Sequence, residues 1–279
     1  MREQELEMEL TRLNPLEAFG KRYFEHFGTE LNYTQYLLLT RYPKENLPAL
    51  DFVNSPAFEA ECQKLGQAFA SLYRKEGLTE QDFIRSDCGI EIEKLLRYVT
   101  IPAHSHEFLE MVFVFSGTCR HFVGDQCFEQ KAGCLTIVHA LTKHALVPSE
   151  DCLCLTVKIR SDIFLSFHIP NTPYFAIPIS FDCGDDSFMR ETLLRIYDQQ
   201  ERRSCYNGEL ISLLLQTLLI YVMQNYRDTL TFLYSGPQVQ GKMLDILNYM
   251  FENYQNITLL GLSRHFGYTE PYLCKLFRD

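Results

Sequence analysis

IPAHSHEFLEMVFVFSG, residues 101–117, decides the reading of the fold. Two histidines stand two apart, a glutamate sits four residues further on, and a glycine closes the run after an apolar stretch. Side chains alternate along a strand, so residues of equal parity share a face. A continuous strand over 104–114 would send His104, His106 and Glu110 to one side together with Val112 and Val114. The same period appears around it. IEIEKLLRYV, CRHFV, CLTIV and CLCLTVKI are short β-type runs, divided by turn signals that include Ser116-Gly117 and Gly124-Asp125. Strands at this spacing predict an antiparallel barrel or sandwich over 91–185.

Helical patterns flank this region. Asn14-Pro15 and Ser55-Pro56 each pair an N-cap with a first-turn proline. The second leads into a helix whose Phe58, Leu65, Phe69 and Leu72 recur at helical spacing, with Gly77 marking its end. Residues 1–90 are therefore predicted as a helical N-terminal region without an assigned function. Asp186-Ser187 opens a second helical segment, 186–233. Its ELISLLLQTLLIYVMQNY helix is apolar on nearly every side and needs cover on two. That makes the segment a candidate homodimer interface, with burial inside one subunit as the alternative. YSGPQ (234–238) reads as a linker, and 238–279 as a further helical unit. The expected class is α+β.

Composition excludes several functions. The most apolar run, LISLLLQTLLIYVM (210–223), is too short to span a bilayer and carries Ser212 and Gln216, so no membrane segment is predicted. The charged start, MREQELEMEL, has no apolar core of a secretory signal. Ten cysteines without a C-x-x-C pair then read as reduced thiols in a cytoplasmic protein, with Cys152 and Cys154 on one strand face. A net charge of −10 argues against coating nucleic acid along the whole surface, but leaves room for a local DNA-reading element.

His144 follows a second glycine-led stretch, GCLTIVHALTKH (133–144), read as one strand, and offers a fourth polar group. Three imidazoles and a carboxylate suit a divalent transition metal. The H-x-H-x3-E-x6-G pattern at 104–117 resembles the first cupin motif, and Gly133 with His144 resembles the second. The second departs where that motif usually has proline, at His139, where it has glycine, at Leu141, and where it closes on asparagine, at Pro148. His104, His106, Glu110 and His144 are thus expected either to line a metal-free effector pocket, the preferred reading, or to hold a metal. No cofactor is required by the preferred reading. His121, His139 and His168 read as ordinary histidines.

In the last forty residues, Met243, Ile246, Leu247, Met250 and Tyr254 mark one helix. Thr258 can cap a second (LLGLSRHF), Gly267 ends it, and Thr269 can cap a third (EPYLCKLFRD) with Pro271 in its first turn. Leu262, Phe266, Leu273 and Phe277 would close a small core. ITLLGLSRHFGYTEPYLCKLFR resembles the first helix-turn-helix of AraC-type transcriptional regulators. That family also carries a cupin-like sensor and a helical dimerisation segment in this order. The resemblance implies DNA contacts at Pro271, Cys274, Lys275 and Arg278, with Lys275 reaching a guanine and Arg278 a phosphate. Tyr272 and His265 are candidates for contact with the DNA backbone, with Tyr272 in the core as the preferred alternative. The family pattern continues with a second helix-turn-helix beyond the position of Asp279, so a truncated form with weak DNA binding is expected.

Three functions are weighed, and the first is the preferred reading. The first is a ligand-responsive transcription regulator, not an enzyme, which binds a small effector in its barrel and DNA through its tail. The second is a metal-dependent cupin dioxygenase or isomerase using His104, His106, Glu110 and His144. The third is a protein-binding module without DNA contact.

Overall fold

Strand β4 (Leu109–Ser116) is buried along nearly its whole length and divides its residues between two cores. Leu109, Met111, Phe113 and Phe115 face one apolar cluster, while Val112 and Val114 face another. A central strand covered on both faces carries apolar residues at both parities. The computed structural model describes residues 2–75, 80–167, 169, 177–202, 205–233, 245–246, 249–250, 253 and 256–278.

The class is α+β. Before β4 come α1 (Arg2–Thr11), α2 (Pro15–Phe27), β1 (Leu31–Asn32), α3 (Tyr33–Leu39), α4 (Leu50–Val53), α5 (Pro56–Lys75), α6 (Glu80–Phe83), β2 (Ile90–Lys94) and β3 (Val99–Thr100). After it come β5 (Thr118–Val123), β6 (Gln126–Lys131), β7 (Cys134–Val138), β8 (His144–Pro148), β9 (Leu153–Ile159), α7 (Ser161–Ser166), β10 (Ile179–Asp182), α8 (Ser187–Glu201), α9 (Asn207–Asn225) and β11 (Thr231–Phe232). Two helices close the chain, α10 (Leu259–Phe266) and α11 (Glu270–Arg278).

The expected barrel is two facing antiparallel sheets. One has six strands in the order β11-β10-β7-β4-β9-β2, the other three in the order β6-β5-β8. Val112, Val114 and Cys154 of the large sheet meet Cys119 and Leu146 of the small one between them, and Cys152 joins Cys154 on that face as expected. No ladder closes the two sheets into a full barrel among the described residues. The outer face of the large sheet packs under α8 and α9 through Met189, Leu193, Leu215, Leu218 and Leu219. Gln200 of α8 also covers the β2 edge: its side chain accepts from Ile92 N at 2.7 Å and donates to Ile92 O at 2.8 Å. An edge strand so capped offers fewer free backbone groups for unwanted pairing.

The chain changes sheet at left-handed residues. Gly117 (φ 66°) turns it from β4 into β5, Gly133 (φ 84°) from β6 into β7, and Leu141 (φ 65°) lies in the turn from β7 to β8. A Cβ on Gly117 would fall 2.7 Å from Asp151 Oδ1 and 2.8 Å from Asp151 C, and one on Gly133 would fall 2.1 Å from Gly184 O. Both corners therefore require glycine for backbone conformation and for space.

Two sequence expectations are corrected here. The strand containing Glu110 starts at Leu109, not at His104, because the backbone before it is held elsewhere: Leu141 N donates to His106 O at 2.6 Å. The 133–144 run is two strands in different sheets, divided at the left-handed Leu141.

The helical flanks form where the caps point. Asn14 and Glu17 make a capping box at the start of α2. Ser55 accepts from Phe58 N at the start of α5, and Asp186 caps α8 through Met189 N at 2.8 Å. Phe58 and Leu65 join the core of the N-terminal helices. The side chains of Phe69 and Leu72, the stop at Gly77, the 234–238 linker and most of the 243–254 helix lie outside the described residues. Glu17 is fully buried and ties these helices to the β region, accepting from Lys94 Nζ at 2.6 Å and Arg97 Nε at 3.0 Å. α1 lies along α8, where Arg190 pairs with Glu7 and Arg195 with Glu3.

Candidate functional site

The four residues taken from the sequence converge although they do not share one strand. His104 and His144 face each other across an isolated antiparallel bridge, exchanging both backbone hydrogen bonds at 2.9 and 2.8 Å. Opposed residues in such a bridge carry neighbouring side chains, and their ring centroids lie 4.5 Å apart. His106 sits in the loop ahead of β4, stacked on Phe108 at 3.7 Å. Glu110 points inward because it shares parity with Val112 and Val114. Its Oε2 accepts from His144 Nε2 at 2.8 Å and from His106 Nε2 at 3.3 Å. One donor atom from each of the four residues lies within 4.8 Å of all the others.

Backbone carbonyls orient the three rings. His104 Nδ1 lies 3.0 Å from Pro102 O, His106 Nδ1 2.8 Å from Phe108 O, and His144 Nδ1 3.2 Å from Thr142 O. A carbonyl only accepts, so each Nδ1 carries a hydrogen and Nε2 faces the interior, where it either binds an ion as a bare lone pair or, on His106 and His144, donates to Glu110 from a doubly protonated ring. This is the arrangement of metal-ligating histidines, in which an outer acceptor fixes the tautomer. Two ligands of one ion at bond lengths of about 2.1 Å can stand at most about 4.2 Å apart, so a small inward closure brings this set to a transition metal. The residues present fit a divalent ion.

Without such an ion the cluster is an ion pair. Burial opposes ionisation of Glu110, but hydrogen bonds from His106 and His144 hold its carboxyl well below the ordinary carboxylate value. Burial likewise opposes charge on His144, yet the hydrogen bond and charge of Glu110 raise its pKa above that of an ordinary histidine. His104 is pushed down by burial and by His144. The proton on His144 and a dication thus compete for one place.

His121, set aside in the sequence as an ordinary histidine, is fully buried between the sheets. In β5 it lies opposite Leu146, two residues from His144 along β8, and the two rings stand 5.9 Å apart. Burial, then the nearby His144, drives its pKa down to about 4. Its Nδ1 is 3.2 Å from Gln130 Oε1, while its Nε2 has no partner, the one such buried side-chain atom among the described residues. An unmet buried polar atom costs about 1–3 kcal/mol. The signal was present in the alternation of CRHFV, where Cys119, His121 and Val123 share the buried parity. His139 is half-buried with Nδ1 beside Ala140 O at 2.9 Å, and His168 lies outside the described residues.

The C-terminal helices pack through Leu262 and Leu273, together with Ile246 and the half-buried Phe266. Thr258 caps α10, accepting from Gly261 N at 3.0 Å. Gly267 stops that helix in the left-handed region (φ 69°), and Thr269 Oγ1 accepts from Tyr272 N at the start of α11. Pro271, Cys274 and Lys275 are exposed on α11. The side chains of Phe277 and Arg278 lie outside the described residues. Tyr272 is 45% exposed rather than in the core, its ring 5.0 Å from Tyr268, because Leu273 takes the inward position. His265 stacks on Tyr249 at 3.8 Å.

Residues 93–219, from the end of β2 through most of α9, match the model of the AraC-like ligand binding domain. No curated protein matches the chain. Among solved structures, ToxT from Vibrio cholerae is similar at 10% identity and a TM-score of 0.34, over 67% of this chain and 73% of that one. The AraC-like transcriptional activator CuxR is similar at 12% identity and a TM-score of 0.35, over 69% and 72%. A cupin protein from Bacteroides fragilis is similar at 20% identity and a TM-score of 0.23, over 26% and 64%. No helix among the described residues is long and apolar enough to cross a membrane.

Proposed function

We propose that the protein is a ligand-responsive transcription regulator: the two-sheet domain binds a small effector, α9 pairs with a second copy, and α10 and α11 meet DNA. The observation that carries this reading is an AraC-like ligand-binding domain followed in the same chain by a capped helix pair with an exposed lysine. Such a pair joined by a short turn suits the major groove, with the second helix turned to the bases. Lys275 serves a base edge or a phosphate and Arg278 a phosphate, and Pro271 and Cys274 add surface but few hydrogen bonds. Recognition by this element rests on few charges, so binding is weak and its dependence on salt is shallow.

Dimerisation is supported by α9. Ile211, Leu215, Leu218, Leu219 and Val222 are buried against the sheet side, yet Leu210, Leu213 and Ile220 are exposed on the other face. Their spacings of three and seven are those of a helix-pairing seam.

The effector pocket is proposed at His104, His106, Glu110 and His144. The donor set favours a second reading for the same residues, in which they hold a divalent transition metal for sensing or structure. A bound ion would supply Lewis acidity toward an oxygen ligand, and the chain's part is to orient three Nε2 atoms and one carboxylate toward it. Turnover as an oxygenase or isomerase is the less favoured reading, because the helix pair has no part in such chemistry.

The test uses the full chain and a labelled pool of mixed-sequence duplexes. Retention of duplex at low salt, weakened by Lys275→Ala across all sequences, is expected. An equal loss of retention for wild type and variant at every salt concentration, or no retention at all, would remove the DNA assignment.

A further inference from the structure

His121 is held by an amide whose orientation is fixed. Gln130 is buried, and its Nε2 donates to Val112 O at 2.7 Å and to Cys134 O at 3.0 Å on the opposite sheet. Both partners are carbonyls, so the amide nitrogen must stand on that side and Oε1 must face His121. Oε1 only accepts, and His121 Nδ1 is therefore the protonated nitrogen of the ring. The opposite nitrogen, Nε2, carries a bare lone pair in a place from which solvent is excluded, with no donor of the protein in reach. Protonating it as well would add a buried cation beside His144 and His104. The ring stacks on Phe128 at 5.3 Å and meets His144 edge-on at 5.9 Å, which confines it to the interior next to the four-residue cluster. It stands outside the group whose donor atoms lie within 4.8 Å of one another, so it is not a fifth ligand of one ion.

We infer that His121 completes the internal site as its hydrogen-bond acceptor: Nε2 receives an O–H group that enters beside Glu110 and His144. That group belongs either to water on a divalent cation held by the cluster or to a hydroxyl of an organic effector. The inference rests on reading the cluster as a ligand site, but not on DNA binding or on gene control. Gln130 then acts as the positioning residue, because it sets which nitrogen of His121 is bare. A ligand that presents only acceptors at this place would leave the lone pair unmet and would be disfavoured.

The test is long-range proton–nitrogen NMR of the full chain labelled at histidine. Before any addition, His121 is expected in the Nδ1–H form with a bare Nε2. One equivalent of Zn²⁺ should move the Nε2 signals of His104, His106 and His144 by coordination. His121 Nε2 should then move by the smaller amount of a hydrogen-bond acceptor while its Nδ1–H persists. In a zinc-free arm, glucose and catechol serve as hydroxyl probes, and the same His121 displacement there assigns the O–H to an organic group. His121→Phe keeps a buried ring and should weaken Zn²⁺, or whichever probe binds, about tenfold, and Gln130→Leu should populate the other tautomer. An Nε2–H form of His121 in the untreated protein overturns the inference. So does a His121 signal indifferent to Zn²⁺ and to both probes, or an affinity unchanged in His121→Phe. Loss of DNA binding in every assay would leave these readouts untouched, so the two readings fail separately.

Discussion

Leu141 occupies a conformation that L-residues avoid, and it does so with its side chain 74% exposed. Left-handed backbone costs a non-glycine residue about 1–2 kcal/mol, while an exposed leucine returns little packing. The turn is kept because Leu141 N holds the His106 carbonyl, and with it one wall of the cluster. Leu141→Gly should therefore raise the melting temperature by about 2–4 °C in a thermal denaturation series; an unchanged or lower value would show that the turn carries no strain. The glycines at the neighbouring corners behave oppositely. Gly133→Ala drives a methyl into the Gly184 carbonyl, and a loss of more than about 2 kcal/mol is expected in chemical denaturation. These positions were legible in the sequence as motif glycines, and Leu141 as a departure from the motif. Their shared office, turning the chain from one sheet to the other, was not, because a left-handed φ is a property of a corner and no spacing reveals which strands a corner joins.

Among the elements, the junction of α2 with β2 and the loop after it depends on one buried carboxylate. Burial alone would raise the Glu17 pKa, but hydrogen bonds from Arg97 and Lys94 lower it below the ordinary value. A carboxylate depressed in the folded state contributes stability that is fully present above its unfolded pKa and is lost as pH falls through its folded one. Glu17→Gln should cost about 3 kcal/mol at neutral pH, since it leaves Lys94 and Arg97 facing each other without an anion. The gap between variant and wild type should close as pH drops below the folded value; urea titrations across acid pH check this, and a constant gap would contradict it. Strand reading succeeded where both faces are buried, as in β4 and β9. It missed β6, whose QCFEQK alternates between half-exposed and exposed residues except at Gln130, and the two-residue β11. The chemistry of the site was visible as residue types, but its assembly depends on the His104–His144 bridge, a register that periodicity does not encode. His121 was missed because a buried parity shows a face but not what that face opposes.

For the whole molecule, the exposed stripe of α9 gives the sharpest expectation. If α9 pairs two copies as proposed, the wild type should sediment as a dimer at micromolar concentration and Leu213→Glu with Ile220→Glu as a monomer. Folding of the single chain should change little, because surface substitutions of this kind fall within about 0.5 kcal/mol each. A variant that sediments like the wild type would release α9 from that role. The net charge of −10 sets a second expectation at this scale: most of the surface repels a polyanion, so any approach to DNA is confined to a small cationic window. The same helix has a mechanical consequence. One side of α9 touches the large sheet and the other is open, so a body resting on its outer stripe would be one helix diameter, about 10 Å, from the strands whose reverse side carries Glu110. Strain born in the interior needs no lever to reach that body; a shift in the curvature of the sheet would be felt directly as a roll of the helix.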